Sequence, residues 1–116
     1  DFWGPWCRPC RAELPEFQAL YDKYKGTGKV VFLGMNWERP GEPEARMKLV
    51  TDFMAKNNYT FPVIIDHDRV AVQAYELEGF PTVYMIDGAG NIKYRNVGYD
   101  EGVEQILEAQ LESMLK

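Results

Sequence analysis

An α/β sandwich around a mixed sheet is the fold class this sequence predicts, and three observations carry it. Apolar residues recur at helical spacing in three separated stretches. Between those stretches lie β-rich apolar runs, and two such runs near the C-terminal end are joined by turn residues. Helices alternating with strands and followed by an antiparallel hairpin build a sheet with both parallel and antiparallel neighbours. The chain has 116 residues, 46% of them hydrophobic and 27% charged, which suits a single domain over 1–116 with its own core.

The elements come in this order. The first helix is expected from Cys7 to Tyr24, with Leu14, Phe17, Leu20, Tyr21 and Tyr24 on one stripe. Pro9 falls in its first turn, where a missing N–H costs nothing, whereas Pro15 lies inside and predicts a kink. Gly26 and Gly28 stop the helix. Lys29 to Trp37, "KVVFLGMNW", is a nearly continuous apolar run and predicts a strand covered on both faces. A second helix is expected over Pro43 to Asn57, with Met47, Val50, Phe53 and Met54 on one face, and a short strand over Phe61 to Asp66. Val70 to Tyr75 reads as a short helix with Asp68 as its N-cap. "PTVYMID" and "NIKYRNV", joined through Asp87-Gly88-Ala89-Gly90, read as the hairpin. The last helix covers Glu101 to Leu115, with Val103, Ile106, Leu107, Leu111 and Leu115 as its buried stripe. The five methionines fall on apolar faces and are expected in the core. Glu38 to Glu44, "ERPGEPE", reads as the most mobile loop, and His67 as a surface residue.

Composition narrows the function. A net charge of −5 and the absence of any Lys/Arg run argue against a nucleic-acid partner. No apolar run approaches the roughly 18 residues that would span a bilayer. The chain starts directly in a motif-like segment with no visible leader, so it is expected to be a piece of a longer protein.

The chemistry concentrates in "DFWGPWCRPC", which holds the only two cysteines, Cys7 and Cys10. A C-x-x-C pair is either half of a metal site or a redox dithiol. A structural zinc needs four ligands, and beyond these two thiols the chain offers only His67 of the usual type, so no metal and no cofactor are expected. At the first turn of a helix, unpaired backbone N–H groups and the helix dipole favour thiolate over thiol. Cys7 takes that place, and Cys10, one turn on, can attack a mixed disulfide formed at Cys7. Arg8 adds positive charge beside Cys7, and Pro9 stiffens the turn.

This segment resembles the active-site motif of the thioredoxin superfamily. Its continuation "RAELPEF" is similar to the "C-x-x-C-[RK]-x-E-x-P" pattern of the extracytoplasmic TlpA/ResA-like branch. "GFPTVYMID", Gly79 to Asp87, resembles the family's cis-proline loop, with the cis bond at Phe80-Pro81. The resemblance implies a thioredoxin-like three-layer α/β/α sandwich with a mixed sheet. It also implies a central strand of which Asp1 to Trp3 are only the end, the rest being truncated. The segment from Trp37 to Pro62 matches the helix and strand inserted in this branch.

For function, the resemblance implies a thiol–disulfide oxidoreductase, Cys7 attacking and Cys10 resolving, that reduces disulfides of exported proteins, as in cytochrome c maturation. Asp1 matches thioredoxin's buried Asp, the proton acceptor for the second cysteine. Glu38 matches a carboxylate near the dithiol in ResA-like proteins. Trp6, Arg8, Pro9, Phe80 and Pro81 would bind substrate. Trp3 and Trp6 frame the motif, and Trp37 stands between core and site rim. Partners would be substrate protein disulfides and an upstream membrane thiol-reductant protein, with the chain a monomer on the outer side of the cytoplasmic membrane. Two alternatives exist. A peroxiredoxin-like peroxidase would need a Thr/Ser-x-x-Cys site, and neither Thr27 nor Ser113 is near a cysteine. A binding module using only the cis-proline groove would not need both thiols.

Overall fold

The computed structural model of the chain describes residues 1–39 and 41–116. Its elements run β1 (Phe2–Trp3), α1 (Arg8–Tyr24), β2 (Gly34–Asn36), α2 (Pro43–Lys56), β3 (Val63–Ile65), a 3-10 turn (His67–Arg69), α3 (Val70–Ala74), β4 (Thr82–Ile86), β5 (Ile92–Val97) and α4 (Val103–Met114). The sheet order is β3-β2-β1-β4-β5. β1, β2 and β3 run parallel, β4 is antiparallel to β1, and β5 is antiparallel to β4. The sheet is mixed, as the alternation of elements predicts.

This topology brings the chemistry to one edge. Parallel β1 and β2 end together, delivering Trp3 toward Cys7 and Asn36 toward Trp37. Antiparallel β4 starts at that same edge, directly after Phe80 and Pro81. Side chains alternate across a strand, and the two residues of β1 show it. Phe2 meets Tyr75 and Tyr84, while Trp3, fully buried, packs against Phe53 of α2 and Phe61. Phe17 of α1 joins that second cluster through Phe61 and Phe32. Gly34 is required here, because a Cβ would stand 2.8 Å from both the Phe61 ring and Trp3 Nε1.

Several local expectations change. The strand expected over Lys29–Trp37 is limited to Gly34–Asn36, because a strand needs a neighbour to pair with and β1 is two residues long. Val31 is 93% exposed rather than covered. Beyond the N-terminal end of β1, residues 30–33 and 83–88 part around a largely apolar cavity of about 560 Å3. The helix assignment runs unbroken through Pro15, which lies on the exposed side of α1 beside exposed Arg11. Met47, Ile106 and Leu115 are exposed, so the stripes of α2 and α4 are narrower than predicted. Pro40, inside the "ERPGEPE" stretch, lies outside the described residues.

Asp68 is not the cap of the short helix. It sits in a left-handed conformation (φ 61°), as does Arg69 (φ 61°), and accepts no hydrogen bond from the α3 amides. The cap comes from buried Asp66, whose carboxylate accepts from Ala71 N (2.9 Å) and Val72 N (2.8 Å). Asp66→Ala is therefore expected to cost about 1–2 kcal/mol, read as a lower urea midpoint. Asp68→Ala loses no such bond and should cost less.

Candidate active site

Cys7 occupies the N-cap of α1 in an extended conformation (φ −96°, ψ 113°), and its Sγ accepts a hydrogen bond from Cys10 N at 3.2 Å. Two backbone bonds fix it there: Cys7 N donates to Gly4 O (3.0 Å), and Arg11 N donates to Cys7 O (3.1 Å). The two cysteines form a disulfide, so the structure is that of the oxidised state. Cys7 keeps 6% of its surface, Cys10 none. Arg8 and Pro9 between them are exposed, with Pro9 in the first turn where it sacrifices no bond. Arg11 reaches back to Pro5 O (2.7 Å) and ties the preceding loop to the helix. Cys7 thus keeps a small accessible area, and Cys10 is sealed.

Beside the disulfide three rings meet. Trp6 Nε1 donates to Trp37 O (2.8 Å), and the Trp6 ring lies edge-on to Trp37 (5.5 Å) and to Phe80 (5.2 Å). Trp37 and Phe80 stack at 6.0 Å. The Phe80–Pro81 peptide is cis, and Pro81 is buried. Thr82 Oγ1 donates to Gly79 O (2.6 Å), and Gly98 N donates to Pro81 O (2.8 Å), holding this loop against β5. The half-exposed Trp37 resolves as a rim residue rather than core.

Beneath the disulfide the polar groups are unusual. Among the described residues, the buried side-chain N and O atoms without a hydrogen-bond partner belong to Asp1, Trp3, Glu13 and Asn36. Glu13 is wholly buried with both carboxylate oxygens unpaired. It lies one turn after Cys10 on the buried face of α1. Burial pushes its carboxyl up to about 7; the Asp1 amino group opposes this and Glu16 adds to it. Glu38 is also buried and accepts from Asn36 Nδ2 (3.1 Å). Burial raises its pKa as well, against the Asn36 bond and the charges of Arg39 and Arg46. The Asp1 carboxylate oxygens are buried and unpaired, ahead of β1, while Cys7 comes after that strand.

The predicted residues Cys7, Cys10, Trp6, Phe80 and Pro81 thus converge, Arg8 and Pro9 form the exposed cover, and Glu38 comes after β2 at the same sheet edge. Glu13, the glutamate of the "C-x-x-C-[RK]-x-E-x-P" pattern, is a buried carboxylate to which the sequence reading assigns no role. Its signal is a carboxylate in the same helical stripe as Cys10, Leu14 and Phe17. His67, half-buried, meets Arg46 Nη1 through Nδ1 at 3.0 Å instead of standing free. Among the described residues no three His, Cys, Asp or Glu side chains gather as a metal site, and no helix is long and apolar enough to cross a membrane.

Known proteins resemble this chain in both sequence and fold. The Redoxin family pattern matches residues 1–111. The chain is 36% identical over 111 residues to the thiol-disulfide oxidoreductase ResA of Geobacillus kaustophilus, covering 94% of this chain and 60% of that protein. It therefore spans less than two thirds of that relative's length. Among solved structures it is similar to StoA from Bacillus subtilis, with a TM-score of 0.74 and 28% identity over 90% of this chain and 76% of that one. A crystal structure from Chlorobium tepidum matches with a TM-score of 0.85 and 28% identity, over 99% and 77% of the two chains.

Proposed function

The chain belongs to the redoxin family, and on that premise we propose that it is a thiol–disulfide oxidoreductase domain over 1–116 that reduces disulfides in other proteins. The observation that carries this reading is the asymmetric pair at the start of α1: Cys7 reachable at the N-cap, Cys10 sealed one turn below. In the reduced state the Cys7 thiolate attacks one sulfur of a substrate disulfide. The substrate S–S bond breaks, a mixed disulfide forms, and one substrate thiolate leaves. Cys10, deprotonated, then attacks Cys7 Sγ. The second substrate thiol is released, and the Cys7–Cys10 disulfide of this structure results. The substrate gains two electrons and two protons, and the domain loses them.

Helix geometry supports the first step, since Cys7 sits at the N-cap of α1 and its sulfur accepts from the Cys10 amide. The second step needs a proton acceptor near Cys10, and Glu13 is our assignment for it, with Glu38 a further buried carboxylate at the same sheet edge and Asp1 another ahead of β1. Trp6, Arg8, Pro9, Phe80 and Pro81 form the surface against which substrate lies. The likeness to ResA and StoA extends the reading to an exported location, an upstream thiol donor that restores the dithiol, and substrates of the cytochrome c maturation type. The test is insulin reduction in the presence of dithiothreitol, monitored by turbidity. Catalytic amounts of the protein should accelerate precipitation well above the dithiothreitol background, and a rate equal to that background would overturn the assignment.

A further inference from the structure

The basic residues of this chain are sorted. Its six arginines are Arg8, Arg11, Arg39, Arg46, Arg69 and Arg95, and all but Arg95 belong to segments around the disulfide and its aromatic rim. The lysines lie elsewhere: Lys23, Lys25 and Lys29 at the far end of α1, Lys48 and Lys56 on α2, Lys93 in the hairpin and Lys116 at the end. In a chain of net charge −5, this puts five of the six arginines on the segments around the site, interleaved there with Glu38, Glu42, Glu44, Asp66 and Asp68.

Arg69 is the arginine built into the rim. Its guanidinium lies over the Trp37 ring, 5.2 Å from the centroid. Trp37 in turn contacts Trp6, the residue next to Cys7, and Phe80, the residue next to Pro81. The backbone that places it is strained, with two successive residues carrying a Cβ, Asp68 and Arg69, in the left-handed region. Arg69 is exposed and, among the described residues, within 4.0 Å of no carboxylate. Glu38 is buried on Asn36, and Asp68 is exposed and forms no ion pair with Arg69. Cation–π attraction holds the guanidinium over the ring face, and its N–H groups remain available to a carboxylate.

We propose that Arg69, stacked on Trp37, is a specificity residue that reads an acidic side chain flanking the substrate cystine. The proposal rests on the oxidoreductase reading and names the class of protein disulfide it prefers. The guanidinium is 5.2 Å from Trp37, and Trp37 is 5.5 Å from Trp6, the residue before Cys7, so at ~3.3 Å per extended residue the acidic position lies within a few residues of the cystine. Arg8 and Arg39 are exposed on neighbouring segments and add positive charge beside the site.

The test uses protein pre-reduced with dithiothreitol and freed of it, and three disulfide-bonded peptides with Glu, Gln or Lys three residues from the cystine. Wild-type protein should reduce the Glu peptide with a kcat/KM about fivefold above the Gln peptide, and the Lys peptide below it. The advantage should shrink between 50 and 500 mM NaCl. Arg69→Gln should bring the Glu-to-Gln ratio close to 1, and Arg69→Glu should invert it in favour of Lys. Arg69→Lys, which keeps the charge but not the planar stack, should retain less than half of the preference. Equal rates for all three peptides with wild-type protein, or an unchanged ratio in Arg69→Gln, would overturn the proposal while leaving the oxidoreductase reading intact. No reduction of any peptide would overturn both.

Discussion

Serine at Cys7 removes insulin reduction, a loss on the order of a thousandfold or more, while serine at Cys10 lets a substrate bind covalently and then stops. The two outcomes differ because the sulfurs differ in access: Cys7 retains 6% of its surface and Cys10 none. Without Cys7 there is no nucleophile that a folded substrate can reach, and loss of a nucleophile has no substitute in the site. Without Cys10 the first exchange still proceeds, but nothing displaces the substrate from Cys7. Cys10→Ser should therefore accumulate one equivalent of a substrate adduct, seen by mass spectrometry and abolished by excess dithiothreitol. An adduct in Cys7→Ser and none in Cys10→Ser would reverse the assigned order of attack.

Glu13→Gln is expected to make the protein more stable at pH 8 and less active. The wild-type carboxyl is raised by burial from 4.5 to about 7. Between those values the folded chain holds a proton that the unfolded chain has released, so stability falls as pH rises through that window. The full difference corresponds to about 3 kcal/mol as an upper bound. Glutamine has nearly the same shape and never ionises. Urea midpoints of the oxidised forms should coincide near pH 4, separate between about 4.5 and 7 with the variant ahead, and stay apart above that. Resolution of the mixed disulfide by Cys10 should slow by about a hundredfold, and its pH profile should lose the inflection near 7. A stability difference that does not vary with pH would sink the claim that Glu13 titrates in its buried site.

The helices and the hairpin are legible in the sequence because each announces itself locally. The Leu14, Phe17, Leu20 stripe, the prolines and the Gly88–Gly90 turn need no knowledge of distant residues. β2 is easily overread because a strand's length depends on its neighbour: Lys29 to Leu33 are apolar enough, but β1 offers them no partner. The cap at Asp66 rather than Asp68 arises from two left-handed residues, a conformation that neither Asp68 nor Arg69 advertises. The thiols are plain in the C-x-x-C spacing. The contact of Trp6, Trp37 and Phe80 is made by a parallel pair and an antiparallel strand meeting at one edge, and so exists only in three dimensions.

The Cys10 N–H donated to Cys7 Sγ at the N-cap couples the redox reaction to the stability of the fold. Oxidation, reduction, folding and unfolding close a thermodynamic square. Whatever the amides of α1 contribute to a thiolate in the folded protein must reappear as a difference in potential between the folded and unfolded dithiols. Each 1.4 kcal/mol by which the folded domain favours its reduced form makes it an oxidant stronger by about 30 mV. Any substitution that frays the first turn of α1, even one far from both sulfurs, therefore shifts the domain toward reducing power. The potential is in this sense a property of the helix rather than of the cysteines.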